Sequence, residues 1–153
     1  MQTVVKRINS YRALSGSERR VLATTMMLLP LFWLGLRVAG FARFNRWLDG
    51  SPPTPDFHSS IDELMNIGRM VNIAARHALA RGNCLTRSLV LRWILRRRNV
   101  GSDLRIGVRL VNGYLEAHAW VEYNGKPIND SADVAERYSA FAGNLSAEAF
   151  STR

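Results

Sequence analysis

The chain has 153 residues, 47% of them hydrophobic and 22% charged, which suits one compact domain and excludes a disordered or disulfide-built protein. Its net charge of +9 is uneven: about +6 over residues 1–50 and about +7 over 81–110, against about −1 over 51–80 and about −3 over 111–153. Such a basic surface attracts nucleic acid, anionic membrane or acidic peptide alike, and the single cysteine, Cys84, can form no internal disulfide and suits a reducing cytoplasm.

The first element is a charge-free run, VLATTMMLLPLFWLGL (21–36), between Arg20 and Arg37. Its 16 residues fall short of the roughly 20 that a spanning helix needs, and Pro30 interrupts it. The upstream region is too long and polar for an ordinary signal peptide. A docking or core helix is the expectation. Met26, Met27, Leu28, Leu29, Leu31, Phe32, Trp33 and Leu34 are too many apolar groups for one buried stripe, so part of the segment is expected to form an exposed patch. The boundary after it is DGSPPTPD (49–56), where Gly50 and three prolines stop any helix. Two units follow: a helical, basic and apolar segment over 1–50, and a second over 51–153.

The second unit opens with Ser60 and Glu63, a capping box, ahead of Ile61, Leu64, Ile67, Val71, Ala74 and Ala75 at helical spacing; Gly82 marks the expected end. A further helix is predicted over Cys84–Arg98, with Leu85, Leu89, Leu91, Ile94 and Leu95 on one broad stripe. Arg96, Arg97 and Arg98 complement the negative end of its dipole. From Gly101 the period becomes two. DLRIGVRLV places Leu104, Ile106, Val108 and Leu110 on one face, an Asn-Gly turn follows at 112–113, and YLEAHAWVEY places Leu115, Ala117, Ala119 and Val121 on one face and Glu116, His118, Trp120 and Glu122 on the other. A second Asn-Gly, at 124–125, leads into KPIND. Helices followed by an antiparallel meander make the fold class α+β.

Cys84 at a helix start is either a small core residue or a nucleophile, because backbone N–H groups there stabilise a thiolate. His118, mid-strand, supplies a candidate base. His58 lies in the Pro-rich stretch and His77 on a helix among arginine and alanine, and neither has a convincing thiol partner in the sequence. A thiol peptidase needs a third group to orient the imidazole. Asp130, on the segment that antiparallel pairing brings beside His118, is one candidate; Asp133 and Asn129 are others. The Cys84 backbone N–H can donate to an oxyanion, with Asn83 or Trp120 as the second donor.

NCLTRSLVLRWILRRRNV, LRIGV and AHAWVEYNGKPIND together resemble the peptidase of lasso-peptide biosynthesis, a branch of the transglutaminase-like cysteine peptidases. The likeness covers roughly residues 60–131, and the apolar, basic N-terminal segment resembles that family too. It implies N-terminal helices followed by a papain/transglutaminase-like core whose catalytic helix packs on an antiparallel sheet. It also implies Cys84 as nucleophile, His118 as base and Asp130 as orienting carboxylate, with no cofactor and no metal. The implied activity removes the leader from a ribosomally made precursor peptide, before a cyclase resembling asparagine synthetase closes the macrolactam. The chain looks like the split peptidase half, needing a separate leader-binding protein (a RiPP recognition element) in trans. The expected location is cytoplasmic, with the patch near 21–36 docking that partner or an anionic membrane surface. Two rivals stand beside this. The same triad serves acyl transfer to an amine, as in a transglutaminase. Alternatively, eight arginines between 81 and 109 suit a basic module for nucleic acid or lipid, although no zinc site, aromatic-rich sheet motif or phosphate loop accompanies them; the peptidase reading expects no nucleic-acid partner.

Overall fold

A computed structural model of the chain describes residues 14–48, 60–78 and 83–140. The Pro-rich boundary at 49–56, His58 and Gly82 fall outside the described residues. The elements in order are α1 (Gly16–Ala39), α2 (Phe41–Leu48), α3 (Ile61–His77), α4 (Cys84–Arg96), β1 (Asp103–Val111), β2 (Tyr114–Tyr123), β3 (Lys126–Pro127), α5 (Val134–Arg137) and β4 (Ser139–Ala140). The four strands form one sheet in the order β3-β2-β1-β4 with every pair antiparallel. The fold is α+β, helices packed on an antiparallel sheet, as the sequence pattern predicts.

The apolar run at 21–36 belongs to a longer helix than its charge-free stretch suggests. Ser15 and Glu18 close a reciprocal capping box at its start, and the helix continues past Arg37 to Gly40. At 24 residues, with a mean hydropathy of 1.7 over its most apolar window, it is long and apolar enough to cross a bilayer by length and composition alone; a core helix meets the same description. Pro30 sits inside it and removes one backbone bond, to the Met26 carbonyl; both residues are exposed. One face of α1, through Val21, Leu22, Thr25, Leu29 and Phe32, is buried with α3 and α4 in the main core. The other leaves Met27 71%, Leu31 60% and Val38 78% exposed. The expected exposed patch is therefore present. Glu18 also accepts from Asn66 Nδ2 at 3.0 Å, tying α1 to α3. That bond, with those from Ser15, holds the Glu18 carboxyl below its ordinary range.

Helix α4 is the centre of the molecule. Thr86, Ser88, Leu89, Val90, Leu91, Ile94 and Leu95 are all buried, a wider face than the predicted leucine stripe. It ends at Arg96, two residues before the predicted end. Asn99 takes a left-handed φ of 58°, and Val100 N–H closes back on the Leu95 carbonyl at 3.0 Å. Helix α3 likewise ends at His77, because Ala78 is already extended (ψ 143°). Glu63, in the first turn of α3, pairs with Arg98 just past the end of α4 (3.6 Å), so the two helices run antiparallel.

Both Asn-Gly pairs form turns with positive φ at both residues, the type I′ geometry of tight hairpins. Two strand expectations need correction. Leu110 and Leu115 face each other across the hairpin but are 72% and 70% exposed, because the tip lies beyond the helices covering the rest of the sheet. Period-two alternation by itself leads one to expect a single covered face, yet Trp120 and Glu122, on the strand face opposite Ala119 and Val121, are also buried. That face is covered by the 134–140 segment, where Trp120, Val134 and Tyr138 form a second small core.

Gly68, on α3, permits the closest helix–chain contact. A Cβ there would meet the Ile128 carbonyl oxygen at 2.1 Å and its carbon at 2.9 Å, both backbone atoms. Alanine favours a helix over glycine by about 1 kcal/mol, yet the backbone clash outweighs it. Gly68→Ala should lower stability by at least about 1 kcal/mol in urea unfolding. An unchanged or raised midpoint would contradict this contact.

Candidate active site

Cys84 is the first residue of α4 and a half-buried free thiol. Asn83 caps the helix; its Oδ1 accepts from the Thr86 N–H and the Thr86 hydroxyl, each at 2.8 Å. No acidic residue stands in the first turn, so nothing there opposes the dipole's preference for negative charge at Cys84.

His118 lies on β2 directly opposite Gly107 of β1. A side chain at Gly107 would press on the Trp120 ring and on Tyr138 Cβ, each at 3.0 Å. Glycine there leaves room for both rings. Tyr138 stacks on His118 with centroids 4.9 Å apart, and Trp120 lies 6.2 Å from it. His118 Nε2 is 2.7 Å from Asp130 Oδ2. A carboxylate only accepts, so Nε2 carries the proton and Nδ1 is left as the basic nitrogen. The other Asp130 oxygen accepts from the Ser131 N–H at 2.9 Å and faces Arg137 at 3.6 Å.

Among the three carboxylate and amide candidates, Asp130 is the group against His118. Asp133 is exposed and pairs with Arg137 at 3.1 Å; Ser131 first and then Arg137 hold its carboxyl below the ordinary range. Asn129 is spent elsewhere. Its Oδ1 accepts from Val121 N–H (2.8 Å), its Nδ2 donates to Ser88 Oγ (3.3 Å), and its backbone carbonyl accepts from Asn72 Nδ2 (2.7 Å). Ser88, one turn beyond Cys84, donates in turn to the Ala119 carbonyl (3.0 Å), beside His118. The start of α4 is thereby pinned to the His118 strand. Ser88 and Asn129 brace the candidate site, a role that the sequence pattern does not assign to them. The only sequence signal is their polar identity close in the chain to Cys84 and Asp130.

The second oxyanion donor is narrowed. The Trp120 indole N–H is committed to Glu122 Oε1 at 2.8 Å, which removes it as a donor to substrate. Asn83 keeps its side-chain N–H₂ group, its oxygen being used in the cap. Glu122 also accepts from Arg105 (2.9 Å), and Glu116 from Arg109 (2.8 Å), so two basic strand residues are neutralised on the sheet. Among the described residues no group of three or more His, Cys, Asp or Glu side chains is placed to hold a metal ion.

A cysteine at a helix start, docked on an antiparallel sheet that carries a histidine–aspartate pair on its next segment, is a transglutaminase-type arrangement. The sequence matches the transglutaminase-like superfamily over residues 26–142, and the chain belongs to that superfamily. It is 40% identical over 62 residues to the microcin J25-processing protein McjB of Escherichia coli. That stretch is 40% of this chain and 29% of the Escherichia coli protein, so the match spans less than a third of that relative. No solved structure matches the chain significantly.

The pairing of His118 with Asp130 has a spectroscopic consequence. Neutral His118 should show the Nε2–H tautomer in long-range ¹H–¹⁵N spectra, and Asp130→Ala should return the ring to a mixture. Asn129→Ala should lower stability by about 1–3 kcal/mol by stranding the Val121 N–H, and should blur the same tautomer signal. An Nδ1–H tautomer in the wild type would refute the geometry.

Proposed function

We propose that this protein is a cysteine peptidase that removes the leader from a lasso-peptide precursor before a partner cyclase forms the macrolactam. The observation that carries the reading is the 2.7 Å His118–Asp130 pair, on the strand to which the Cys84 helix is fastened one turn away through Ser88. Superfamily membership and the likeness to a microcin-processing protein support the substrate class.

In this mechanism His118 Nδ1 takes the Cys84 proton and the thiolate attacks the carbonyl at the leader–core junction. The oxyanion receives the Cys84 backbone N–H and, as the second donor, Asn83. Protonated His118 then gives its proton to the departing core amine, leaving the leader as a thioester on Cys84. Water, deprotonated by His118, releases the leader and restores the thiol. Asp130 holds the ring through Nε2 and stabilises the imidazolium. In this reading residues 51–153 carry the catalytic groups, and residues 1–50, whose helix α1 packs one face into the main core, carry the docking face.

Cys84→Ala should abolish cleavage of a leader-containing precursor while the protein stays folded. Asp130→Ala should slow turnover by roughly two orders of magnitude or more, and Asp133→Ala should be mild. Full cleavage by folded Cys84→Ala would end the reading, and reversed effects at 130 and 133 would move the third role. Product mass separates hydrolysis from transfer to an amine.

The docking segment has its own test. We assign the exposed Met27, Leu31, Leu34 and Val38 face of α1 to a separate leader-binding protein, because an apolar surface of this extent is poorly suited to water. The cyclase and precursor complete the cytoplasmic assembly. Hydrogen exchange over residues 21–38 should slow when the leader-binding protein is added. Protection by anionic vesicles instead, with none from the protein partner, would make this face a membrane contact.

A further inference from the structure

A groove of about 790 Å³ runs between α3 and the segment after β3, and reaches Asp130 itself. One stripe of α3 forms a wall, with Met65, Arg69, Ile73 and Arg76 at helical spacing. Ile128–Ser131 and Arg87 of α4 stand across it. The volume is that of a ligand site rather than a packing defect.

The charges in this groove are not balanced within it. Asp130 is engaged with His118 and Arg137, and Asp62 lies in the first turn of α3. Arg69 bonds to Asn66 and lies 3.9 Å from Glu18. Arg87 is different: it is half-buried, and its Nε is fully buried with no hydrogen-bond partner among the described residues. A buried guanidinium N–H without an acceptor is costly, and a native site with one is short of an acceptor. Arg76, on the last turn of α3, has no carboxylate paired with it among the described residues.

Position makes these two arginines informative. The helices run antiparallel, since Glu63 at the start of α3 meets Arg98 past the end of α4. The end of α3 that carries Arg76 therefore lies toward the start of α4. Arg87 is three residues from Cys84, less than one turn away. The cationic end of the groove is thus the end nearest the candidate nucleophile, while Met65 and Ile73 offer apolar contacts along it.

We propose that this groove binds the substrate peptide in extended form and that Arg76 and Arg87 receive an acidic side chain of it within a few residues of the scissile bond. The identity of the ligand as the cleaved peptide rests on the peptidase reading. The preference for a carboxylate rests on the groove alone. Arg87 lines the groove and supplies planar N–H donors that a carboxylate matches.

The test uses full-length Cys84→Ala protein and two fluorescein-labelled octapeptides of glycine and serine, one with a single central glutamate and the other with glutamine. Fluorescence anisotropy should show the glutamate peptide binding about tenfold tighter, the scale of one charge-assisted bond. Arg76→Gln and Arg87→Gln should each reduce that preference and together erase it, whereas Arg87→Lys should retain part of it. The control is Arg20→Gln with Arg43→Gln, which removes the same charge from α1 and α2. Thermal unfolding checks each variant, and Arg76→Gln, at an exposed position, carries the test should Arg87→Gln misfold. Equal binding of the two peptides overturns the proposal, as does an equal loss of preference in the control pair, which would mean long-range attraction only. Carbamidomethylation of Cys84 by iodoacetamide, in wild type and His118→Ala, reads the thiol separately. An inert thiol with a glutamate preference retains the groove and discards the peptidase; a His118-dependent reactive thiol without the preference does the reverse.

Discussion

The side chain and backbone of Asn129 hold the site together. Its carbonyl is fixed to α3 by Asn72, its amide nitrogen reaches Ser88 on α4, and its amide oxygen replaces a strand acceptor for Val121 N–H on β2. Strand β3 is only two residues long, and its pairing would otherwise leave that N–H without a partner. A planar amide offers an acceptor and two donors in fixed directions, so three elements are set in one register by one residue. Asp130 follows immediately, and its place beside His118 depends on that register. Gly68 contributes by omission, since only a residue without Cβ lets the Ile128 carbonyl lie so close to α3.

His118 is restrained from the opposite side as well. The ring lies against Tyr138 and near Trp120, and these rings are themselves seated by Val134 and by the space that Gly107 leaves. Burial raises the Tyr138 phenol above its ordinary value, so it stays neutral and can donate to Glu116 at 3.3 Å. Glu116, held below its ordinary value chiefly by the Arg109 hydrogen bond, remains an anion to receive it. The short 134–140 segment, which contributes little to the main core, therefore fixes the orientation of the proposed base.

How much of this was legible in the sequence follows from how local each cause is. The two Asn-Gly turns, the Ser60 cap and the alternation in β1 and β2 arise from neighbours in the chain, and they placed His118 and Asp130 on adjoining segments. The burial of Trp120 and Glu122 was illegible, because period-two alternation reports one covered face and says nothing of a second cover contributed by residues 134–140. Ser88 and Asn129 are 41 residues apart, and Asn72 and Asn129 are 57 apart. Polar residues on a helix ordinarily read as solvent-facing, and only tertiary contact turns them into a buried network. The extent of α1 was underestimated because flanking arginines ended the apolar run without ending the helix.

The net charge of +9 separates into groups with different physical roles. On the sheet, Arg105 and Arg109 are matched by Glu122 and Glu116 within bonding distance, so they contribute little field beyond the surface. Past the end of α4, Arg98 meets Glu63 and Arg97 lies over the Trp93 ring at 5.1 Å. Arg87 departs from that pattern: it lies less than one turn along α4 from Cys84, and its buried Nε–H has no acceptor among the described residues. On these elements arginines are neutralised where glutamates are within reach, while Arg76 and Arg87 line the groove with no carboxylate paired to them among the described residues. A basic surface for nucleic acid would require the reverse, with charges free along an exposed face and paired near the core. On the sheet and past the end of α4 the paired cations leave little field, whereas the groove beside α4 keeps Arg76 and Arg87 for an anionic group brought to it.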